Sequence, residues 1–521
     1  MNNVTPIAQQ FIDMLQRADA HSKTREEYLK SSEKVHIVGA GRTLTAAYEQ
    51  LRNAAEYTEE HLLLQRAIRR FYRRLYLTRD HDRISKCGEE LAIELTLAGY
   101  LQNDTIPQTT VTHIGSVAAR YYGVYQYALD HGGSSNAEEW VLAPLAVQTE
   151  QLLTDHSRRD AFAQFAYRYF IESIDTDVLF KGNKPDNYDT SVFIAVHRML
   201  LKSDNATIRH ALLGRYQVSP EQGEQYIALN KQLDALLVPE ASEKVARVIN
   251  RRGAPLRVLW RMVDDTPDLA DLLTHREKFL SAYEAQINTE YQQMNDKINR
   301  GIIKSVIFLI ITKFLIGLAI EVPYDYIAHG EILWTVLLIN LLLPPVYMIL
   351  LRLTLVLPSH VNTTALIDRM DAIVYAERPH LTLTPTDTNA GPYSKVFNVF
   401  YIGLFIVVFG GVGWGLWNLG FSFVHLAIFF IFLSTASFLG FRLSRLIREI
   451  ETVDTEQSGV ALIRDFLYLP FVVVGRWISE NYAKVNVLTL VLDMAIELPL
   501  KTVIRLVQQW GKFISSKKDE L

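Results

Sequence analysis

The pattern of hydrophobic and polar positions divides the chain into two unlike parts. Up to about residue 300, apolar residues recur every three or four positions among many polar ones, whereas long apolar runs follow Gly301. A spacing of three or four places side chains on one face of a helix. The segments that fit amphipathic helices are 42–57, 58–77, 85–101, 111–130 and 268–299. The first part is therefore predicted to be a large all-α domain over residues 1–300.

Local signals agree with this helical prediction. Ser219 is followed by Pro220 and, three residues after the serine, by Gln222, which is the pattern of a capped helix start. The segment 181–189 contains Gly182, Pro185 and several asparagines and aspartates and predicts a loop, which we take as a sub-boundary inside the domain. Alternation of period two is nearly absent, and the last helix is expected to continue toward the membrane.

Four apolar runs, at 302–320, 332–351, 396–416 and 421–439, approach the length of about 20 residues that crosses about 30 Å of hydrocarbon. The predicted fold is all-α, a polytopic membrane protein with about four transmembrane helices, a large N-terminal helical cytoplasmic domain and C-terminal amphipathic helices. Its parts are a first hairpin (301–353), a cytoplasmic loop (354–395), a second hairpin (396–441) and a C-terminal amphipathic, interfacial or re-entrant region (442–521).

Charge in the connecting segments predicts the orientation. The segments 321–330 and 418–420 contain no lysine or arginine, whereas Arg352, Arg369, Arg378 and Lys395 lie between the second and third spans. Arg442, Arg445 and Arg448 follow the fourth span. Lysine and arginine concentrate in cytoplasmic loops, so both termini are predicted to be cytoplasmic, in the plasma membrane or in the inner membrane of a bacterium.

Lys313 lies near the middle of the first span, where a charge costs about 2.5–3.5 kcal/mol on insertion scales. One interpretation is a proton or ion path in which the buried cation Lys313 and Asn340 meet Asp493 and Glu497 from the C-terminal region. The alternative is that Lys313 snorkels, or meets Glu321 or a C-terminal acid for assembly alone. Asn340 and the Pro344–Pro345 pair either free backbone carbonyls beside Lys313 or kink the helix.

Small residues predict where membrane helices approach closely. Gly411, Gly415 and Gly440 are candidate helix-packing positions. Farther on, 466–474 is too short to span and is expected to dip into the membrane or lie at its surface. Polar residues spaced by three or four from 485 to 510 predict an amphipathic helix. That helix either lies in the headgroup plane, which we favour, or spans with Asp493 and Glu497 facing the bundle.

Three features of the N-terminal part have candidate chemistry. A cationic stripe, which fits contact with an anionic surface or a solvated face paired with acids, consists of Arg66, Arg69, Arg70, Arg73 and Arg74. The glycines of 35–41 resemble a dinucleotide motif, but Leu44 occupies the third glycine position, which favours a turn. Asp80, His81 and Asp82 precede Cys87 without metal-ligand spacing, which favours a polar turn.

Composition adds little to this picture. The net charge of -4 gives no argument for nucleic acid, and a single cysteine excludes an intrachain disulfide. The start of the chain lacks a cleavable signal pattern, and the terminal Lys-Asp-Glu-Leu matches a lumenal retrieval tag that the predicted topology makes accidental. No metal site, cofactor site or common catalytic motif is found, which argues weakly against an enzyme.

The sequence therefore favours a membrane-anchored interaction or scaffold protein, with the lipid bilayer and a protein bound through residues 1–300 as partners. Self-association into a homo-oligomer is left open. The main alternative is a transporter or channel-like protein that uses Lys313, Asn340, Asp493 and Glu497. A weaker alternative is a lipid-modifying enzyme that uses Asp80, His81 or Asp82.

Overall fold

A computed structural model of the protein describes residues 4–37, 46, 49, 62–238, 242–355, 357–375, 394–452 and 459–484. Its helices are α1 (Pro6–Ser31), α2 (Leu63–Leu77), α3 (His81–Ser85), α4 (Cys87–Leu97), α5 (Gln108–Ala137), α6 (Ala143–Leu153), α7 (Ser157–Ser173), α8 (Thr176–Phe180), α9 (Tyr188–Met199), α10 (Asn205–Arg215), α11 (Gly223–Leu237), α12 (Glu243–Arg252), α13 (Ala254–Asp265), α14 (Leu269–Leu272), α15 (Arg276–Ile316), α16 (Val322–His329), α17 (Trp334–Thr354), α18 (His360–Tyr375), α19 (Ser394–Asn418), α20 (Phe423–Arg448) and α21 (Gly459–Lys484). The described residues contain no strand, which confirms the all-α prediction.

The predicted amphipathic helices are present where the structure describes them, with shifted ends. The segment 58–77 forms α2 from Leu63, 85–101 forms α4, and 111–130 lies inside the longer α5. Helix α5 is kinked at Gly133, whose positive φ of 78° favours glycine. The predicted capping box at Ser219 is confirmed, and it begins a short 3₁₀ turn before α11. The segment 42–57 lies outside the continuously described ranges.

Aromatic side chains fill the core of the N-terminal domain. The Phe11 ring of α1 stacks on Phe165 of α7, 4.4 Å between centroids. Tyr76 and Tyr122 meet edge to face at 5.0 Å, and the buried Tyr76 hydroxyl donates to the Ala118 carbonyl. Each fully buried side chain of this size contributes about 1.5–3 kcal/mol. The same core contains residues on both sides of the loop at 181–187.

Helix α15 belongs to both parts of the molecule. At 41 residues it is about 60 Å long. Its buried stripe begins with Phe279 and Tyr283 in the domain and ends with Leu309 and Lys313 among the membrane helices. The prediction that the last domain helix continues into the first apolar run is thus confirmed, and the cores of the two parts are joined.

Beyond α15 the backbone stays helical where the sequence predicts a loop. A π-helical turn, Gly317–Glu321, leads directly into α16, which ends at Gly330 with a φ of 74°. The loop prediction for 321–330 is therefore wrong for residues 321 to 329. Counted as one unit, Arg276–His329 is the first of four described helices that are long and apolar enough to cross a membrane; the others are Trp334–Thr354, Val399–Asn418 and Phe423–Arg448.

Helix α18 returns the chain to the domain after the first membrane hairpin. The Thr5 amide donates to the Val374 carbonyl (2.8 Å), and Arg276 forms a bidentate pair with Asp371, both contacts at 2.7 Å. Asn362 donates to the carbonyl of Ile450, just after α20 (3.0 Å). The domain, α18 and the C-terminal end of α20 therefore lie together at one end of the bundle.

The segment 466–474 is not an isolated short element. It lies within α21, a helix of 26 residues that packs against α20. The two helices come close at Gly475, where an added Cβ would overlap the Ser434 carbonyl oxygen. A Cβ at Gly440 would overlap Leu351 of α17, whereas one at Gly411 or Gly415 would meet no described atom within 4 Å. Of the three predicted packing glycines, Gly440 is the one at a tight contact.

Candidate functional site within the membrane bundle

A buried cluster of polar side chains lies inside the membrane bundle. Lys313, near the end of α15, is 2% exposed, and its ammonium lies 2.6 Å from Glu321 Oε1. The ammonium also lies over the ring of Phe432 of α20, 4.9 Å from its centroid. Because a buried charge is costly unless paired, Glu321 is the residue that makes Lys313 tolerable at this depth.

The π-helical turn explains why residues eight apart in one helix can meet. An α-helix turns about 100° per residue, so a separation of eight leaves two side chains about 80° apart. A π turn inserts one extra residue, which rotates the following helix back by about 100°. Glu321, at the end of Gly317–Glu321, is thereby moved to the face of Lys313.

Asn340 joins this pair to α20. Its amide nitrogen, on α17, donates to Glu321 Oε1 (2.9 Å) and lies 3.4 Å from the His425 carbonyl oxygen. Its side-chain oxygen is buried and has no hydrogen-bond partner among the described residues. Pro344, four residues later in the same helix, has no amide hydrogen to donate to the Asn340 carbonyl. Both sequence interpretations, a freed backbone carbonyl and a kinked helix, stay predictions.

A second pair adjoins the first. His425 Nε2 lies 3.2 Å from Asp325 Oδ1, and both side chains are fully buried. The contact is an ion-pair distance, but neither atom has a well-aligned hydrogen bond. The other carboxylate oxygen of Asp325 accepts the Leu333 amide (3.1 Å), which holds the carboxylate at the start of α17.

The helix start of α20 determines which ring nitrogen of His425 has the proton. The backbone amide of Ser422 points at His425 Nδ1 (3.4 Å), and the Ser422 hydroxyl lies 2.8 Å from the same atom. An amide can only donate, so Nδ1 is an acceptor and the proton of a neutral imidazole is on Nε2, facing Asp325. A second proton on Nδ1 would oppose that amide and disrupt the capping box.

The cluster has two carboxyl groups and one ammonium group. Lys313 pairs with Glu321, and Asp325 has two imidazole neighbours, His425 at 3.2 Å and the partly exposed His329 at 3.8 Å. A buried charge without a partner is strongly unfavourable. The contacts of Asp325 with two imidazoles therefore join the cluster to the exposed end of the bundle. Among the described residues, no three His, Cys, Asp or Glu side chains gather in metal-binding geometry.

The cluster has an exposed end and a polar continuation. His329, with a 36% exposed side chain, lies 3.8 Å from Asp325 Oδ1 at the end of the bundle opposite the domain. Toward the domain, the Ser437 hydroxyl donates to Tyr347 (3.1 Å), and Ser434 is buried with no described hydrogen-bond partner for its hydroxyl. Polar side chains are thus present from the exposed end of the bundle to beyond its midpoint.

The candidate residues from the sequence fall into two groups. Lys313 and Asn340 meet through Glu321, whereas Asp493 and Glu497, with the predicted helix 485–510, lie outside the described residues. Sequence reasoning missed Asp325 and His425. The signal that could have found them is the presence of three ionisable residues, Glu321, Asp325 and His425, in or beside apolar runs.

The arginine stripe of α2 is engaged with acids of the same domain. Arg70 pairs with Glu49 (2.8 Å) and Arg74 with both oxygens of Glu94 (2.5 and 2.8 Å). Arg69 lies 3.4 Å from Glu138, which Arg73 also contacts. These contacts fit the paired-face interpretation; Arg66 also has a partner. The anionic-surface interpretation stays a prediction.

The Asp80 segment has a local structural role. The Asp80 carboxylate accepts the Arg83 amide (3.1 Å) and caps α3, and the His81 ring packs on Tyr122 at 4.8 Å between centroids. Burial raises the pKa of the Cys87 thiol to about 12, so the thiolate is disfavoured. These contacts agree with a turn between helices; of the glycine segment 35–41, residues 38–41 lie outside the described ranges.

Comparison with known proteins adds no relative: no protein-family model, curated protein or solved structure matches the chain.

Proposed function

We propose that this chain is a transporter or channel-like membrane protein in which the buried cluster binds and relays protons. The observation that supports the proposal most is the connected set Lys313, Glu321, Asn340, Asp325 and His425, each at most 2% exposed within membrane helices. Ionisable residues at such depth are rare and usually mark ion or proton pathways.

In this proposal the Asp325–His425 pair takes up the transported proton. A proton arriving through His329 adds to the Asp325 carboxylate, which lies 3.8 Å from that histidine and 3.2 Å from His425 Nε2. The Ser422 amide and hydroxyl keep His425 Nδ1 as an acceptor, so the Nε2 proton stays directed at Asp325. Loss of the added proton toward the domain restores the Asp325 carboxylate, while the Lys313–Glu321 pair stays neutral. The polar side chains of Tyr347 and Ser437 supply the path toward the domain.

The test uses the full-length protein in liposomes that contain a pH-sensitive dye. With a pH gradient and a potassium-diffusion potential imposed, the wild type is expected to pass protons faster than empty liposomes. His425→Gln is expected to reduce that flux at least tenfold, and His360→Gln, an exposed histidine of α18, is the matched control. Absence of wild-type flux under both driving forces would contradict the proposal.

The predicted topology is part of this proposal. The domain, α18 and the end of α20 meet at one end of the bundle, as two membrane hairpins require. With the lysine and arginine distribution, this supports cytoplasmic termini and puts His329 on the opposite side. The membrane is the plasma membrane, or the inner membrane in a bacterium.

A membrane-anchored scaffold is the second proposed function. It is supported by the size of the helical domain, whose core extends from Phe11 to Ile298. A domain of this size is much larger than four membrane helices require for their own packing. The intact protein would be crosslinked in cells, purified in mild detergent and examined for stoichiometric companions. One protein companion that binds the domain would support a scaffold, whereas a solitary or self-associated chain would count against it.

A further inference from the structure

A cavity of about 460 Å³ lies where the helical domain meets the membrane bundle. Its walls include Arg159 of α7, Arg261 of α13, Lys297 of α15 and Leu446 of α20. Lys297 precedes the buried apolar residue Ile302 by five positions, or about 7–8 Å of helix. The polar layer on each side of the hydrocarbon is about 5–7 Å thick. With Ile302 taken as the edge of the hydrocarbon, Lys297 lies at the outer boundary of the headgroup layer.

Basic side chains outnumber acidic ones in this cavity. Six lysines and arginines line it, against four aspartates and glutamates. Three of the six already form hydrogen bonds or ion pairs with groups of the protein. Arg257 donates to the carbonyl oxygens of Met199, Asn250 and Glu449, Lys202 pairs with the Glu449 carboxylate at 2.8 Å, and Arg158 donates to the Thr266 carbonyl.

The other three cations have unused donors. Arg159 donates to the Ser203 hydroxyl (2.9 Å), and no described carboxylate lies within 4 Å of its guanidinium. Burial lowers the pKa of Arg159, and the nearby acids Glu150, Asp160, Asp264 and Asp204 offset part of that effect. Arg261 is 3.9 Å from its nearest described carboxylate, Glu290, and Lys297 has no described ion-pair partner. Arg159 is half-buried, whereas Arg261 and Lys297 are exposed, so all three have donors that an anion entering the cavity can reach.

We propose that this cavity binds a phosphate group, with Arg159, Arg261 and Lys297 as donors. The planar guanidinium fork matches phosphate oxygens in two parallel hydrogen bonds, and lysine adds a point charge. A volume of about 460 Å³ is within the usual range for small-molecule sites. Because the three donors lie on three helices, the ligand links the domain to the bundle. The phosphate is either that of a lipid headgroup or that of a soluble compound.

The four acidic wall residues limit the affinity for an anion, and one of them, Asp264, makes it depend on pH. Burial and the neighbouring Asp265 raise the pKa of the Asp264 carboxyl, and Arg159, Arg261 and Arg158 offset part of that shift. A protonated Asp264 donates a hydrogen bond to phosphate, whereas the carboxylate repels it. Phosphate binding is thus expected to be stronger at lower pH, within the range where phosphate itself stays an anion.

The experiment uses the full-length protein in detergent and has two arms. In the first, the apparent unfolding temperature is measured with inorganic phosphate and with chloride at equal ionic strength. In the second, native mass spectrometry compares retention of a phosphatidylinositol phosphate with that of phosphatidylcholine. The variants are Arg159→Gln and Lys297→Gln, and their matched controls are Arg168→Gln on α7 and Lys278→Gln on α15, which do not line the cavity.

Either variant is expected to weaken binding about tenfold or more, the size of one lost charge-assisted hydrogen bond, while the controls bind like the wild type. A response to inorganic phosphate identifies a soluble ligand, and selective lipid retention without that response identifies a headgroup. If neither occurs, or if both variants retain wild-type binding, the proposal is overturned. Lys297 is exposed, so its variant is expected to fold even if the Arg159 variant does not.

Discussion

Lys313 and Glu321 form a 2.6 Å ion pair across a π-helical turn within one continuous helix. Lys313→Met leaves the Glu321 carboxylate buried without its cation, and breaking such a pair costs about 3–5 kcal/mol. We expect a large fall in apparent unfolding temperature in detergent. The double variant Lys313→Met/Glu321→Gln removes both charges and is expected to recover most of that stability.

The same two variants separate a structural role from proton transfer. If the double variant is folded but passes no protons in liposomes, the pair is needed for transport. Wild-type flux in a folded double variant would show that the pair serves assembly alone.

The helix start at Ser422 offers a second test. Ser422→Ala removes the hydroxyl that lies 2.8 Å from His425 Nδ1, and loss of a helix-capping hydroxyl costs about 0.5–2 kcal/mol. Because that hydroxyl also helps to keep the His425 proton on Nε2 beside Asp325, we expect its loss to shift the pH at which flux is half maximal. Thr435→Ala, whose hydroxyl donates to the Ile431 carbonyl of the same helix, is the control and is expected to leave the pH profile unchanged.

Close packing at Gly440 predicts that alanine substitution destabilises the protein more at Gly440 than at Gly415. Gly440→Ala brings a methyl group against Leu351 and is expected to destabilise the protein by about 1–3 kcal/mol. Gly415→Ala enters open space and is expected to be near neutral or slightly stabilising. Thermal unfolding of both variants in detergent checks this order, and equal losses would contradict the packing of α17 on α20.

A buried carboxyl in the domain predicts stability that falls as pH rises. Burial raises the pKa of Glu150 from 4.5 to about 7, and Gln65 donates to its carboxylate (3.3 Å). The folded state then favours the protonated form, so its stabilising contribution is complete below pH 4.5 and is lost as pH rises through about 7. At pH 8 the ionised Glu150 lowers the free energy of unfolding by about 3 kcal/mol at most.

Glu150→Gln removes this titration. We expect the variant to be increasingly more stable than the wild type between pH 5 and 8, measured as apparent unfolding temperature. A constant difference over that range would assign the effect to the substitution itself and not to protonation.

Single cysteines test the orientation. In a Cys87→Ser background, Tyr326→Cys introduces a thiol at an exposed position near the end of the bundle opposite the domain, and Ser359→Cys introduces one at the start of α18. With cytoplasmic termini, a membrane-impermeant maleimide is expected to label the thiol at 326 in intact cells and the thiol at 359 only after permeabilisation. The reverse pattern would invert the topology.

Apolar length and helical spacing predicted much of the fold, because both are local properties of the sequence. The four spans and the helices from Leu63 onward are present, and Lys313 was identified by its depth alone. The partner of Lys313 was predicted only among alternatives, which were Glu321, a C-terminal acid or no partner at all. Glu321 follows the apolar run and resembles a loop residue, and only the π turn places it on the lysine face. A register change of one residue has no clear sequence signal.

Asp325 and His425 were missed for a related reason. Each lies near the end of an apolar run, where polar residues are expected to reach water, and neither is near the other in sequence. Their contact depends on how α16 and α20 pack, a tertiary property. The cavity at Arg159 likewise requires four helices that meet from distant parts of the chain.

The sharing of α15 and α18 between the domain and the bundle has a consequence for biosynthesis. Phe279 and Tyr283 of α15 and Tyr375 of α18 are core residues of the N-terminal domain, and Thr5 bonds to Val374. When residue 300 has just been made, the domain therefore lacks the part of its core that α18 supplies. That part follows only after the first two long apolar helices in the chain. The formation of this helical hairpin thus precedes completion of the domain core, and a hairpin that failed to form would leave the surface that packs on α18 uncovered.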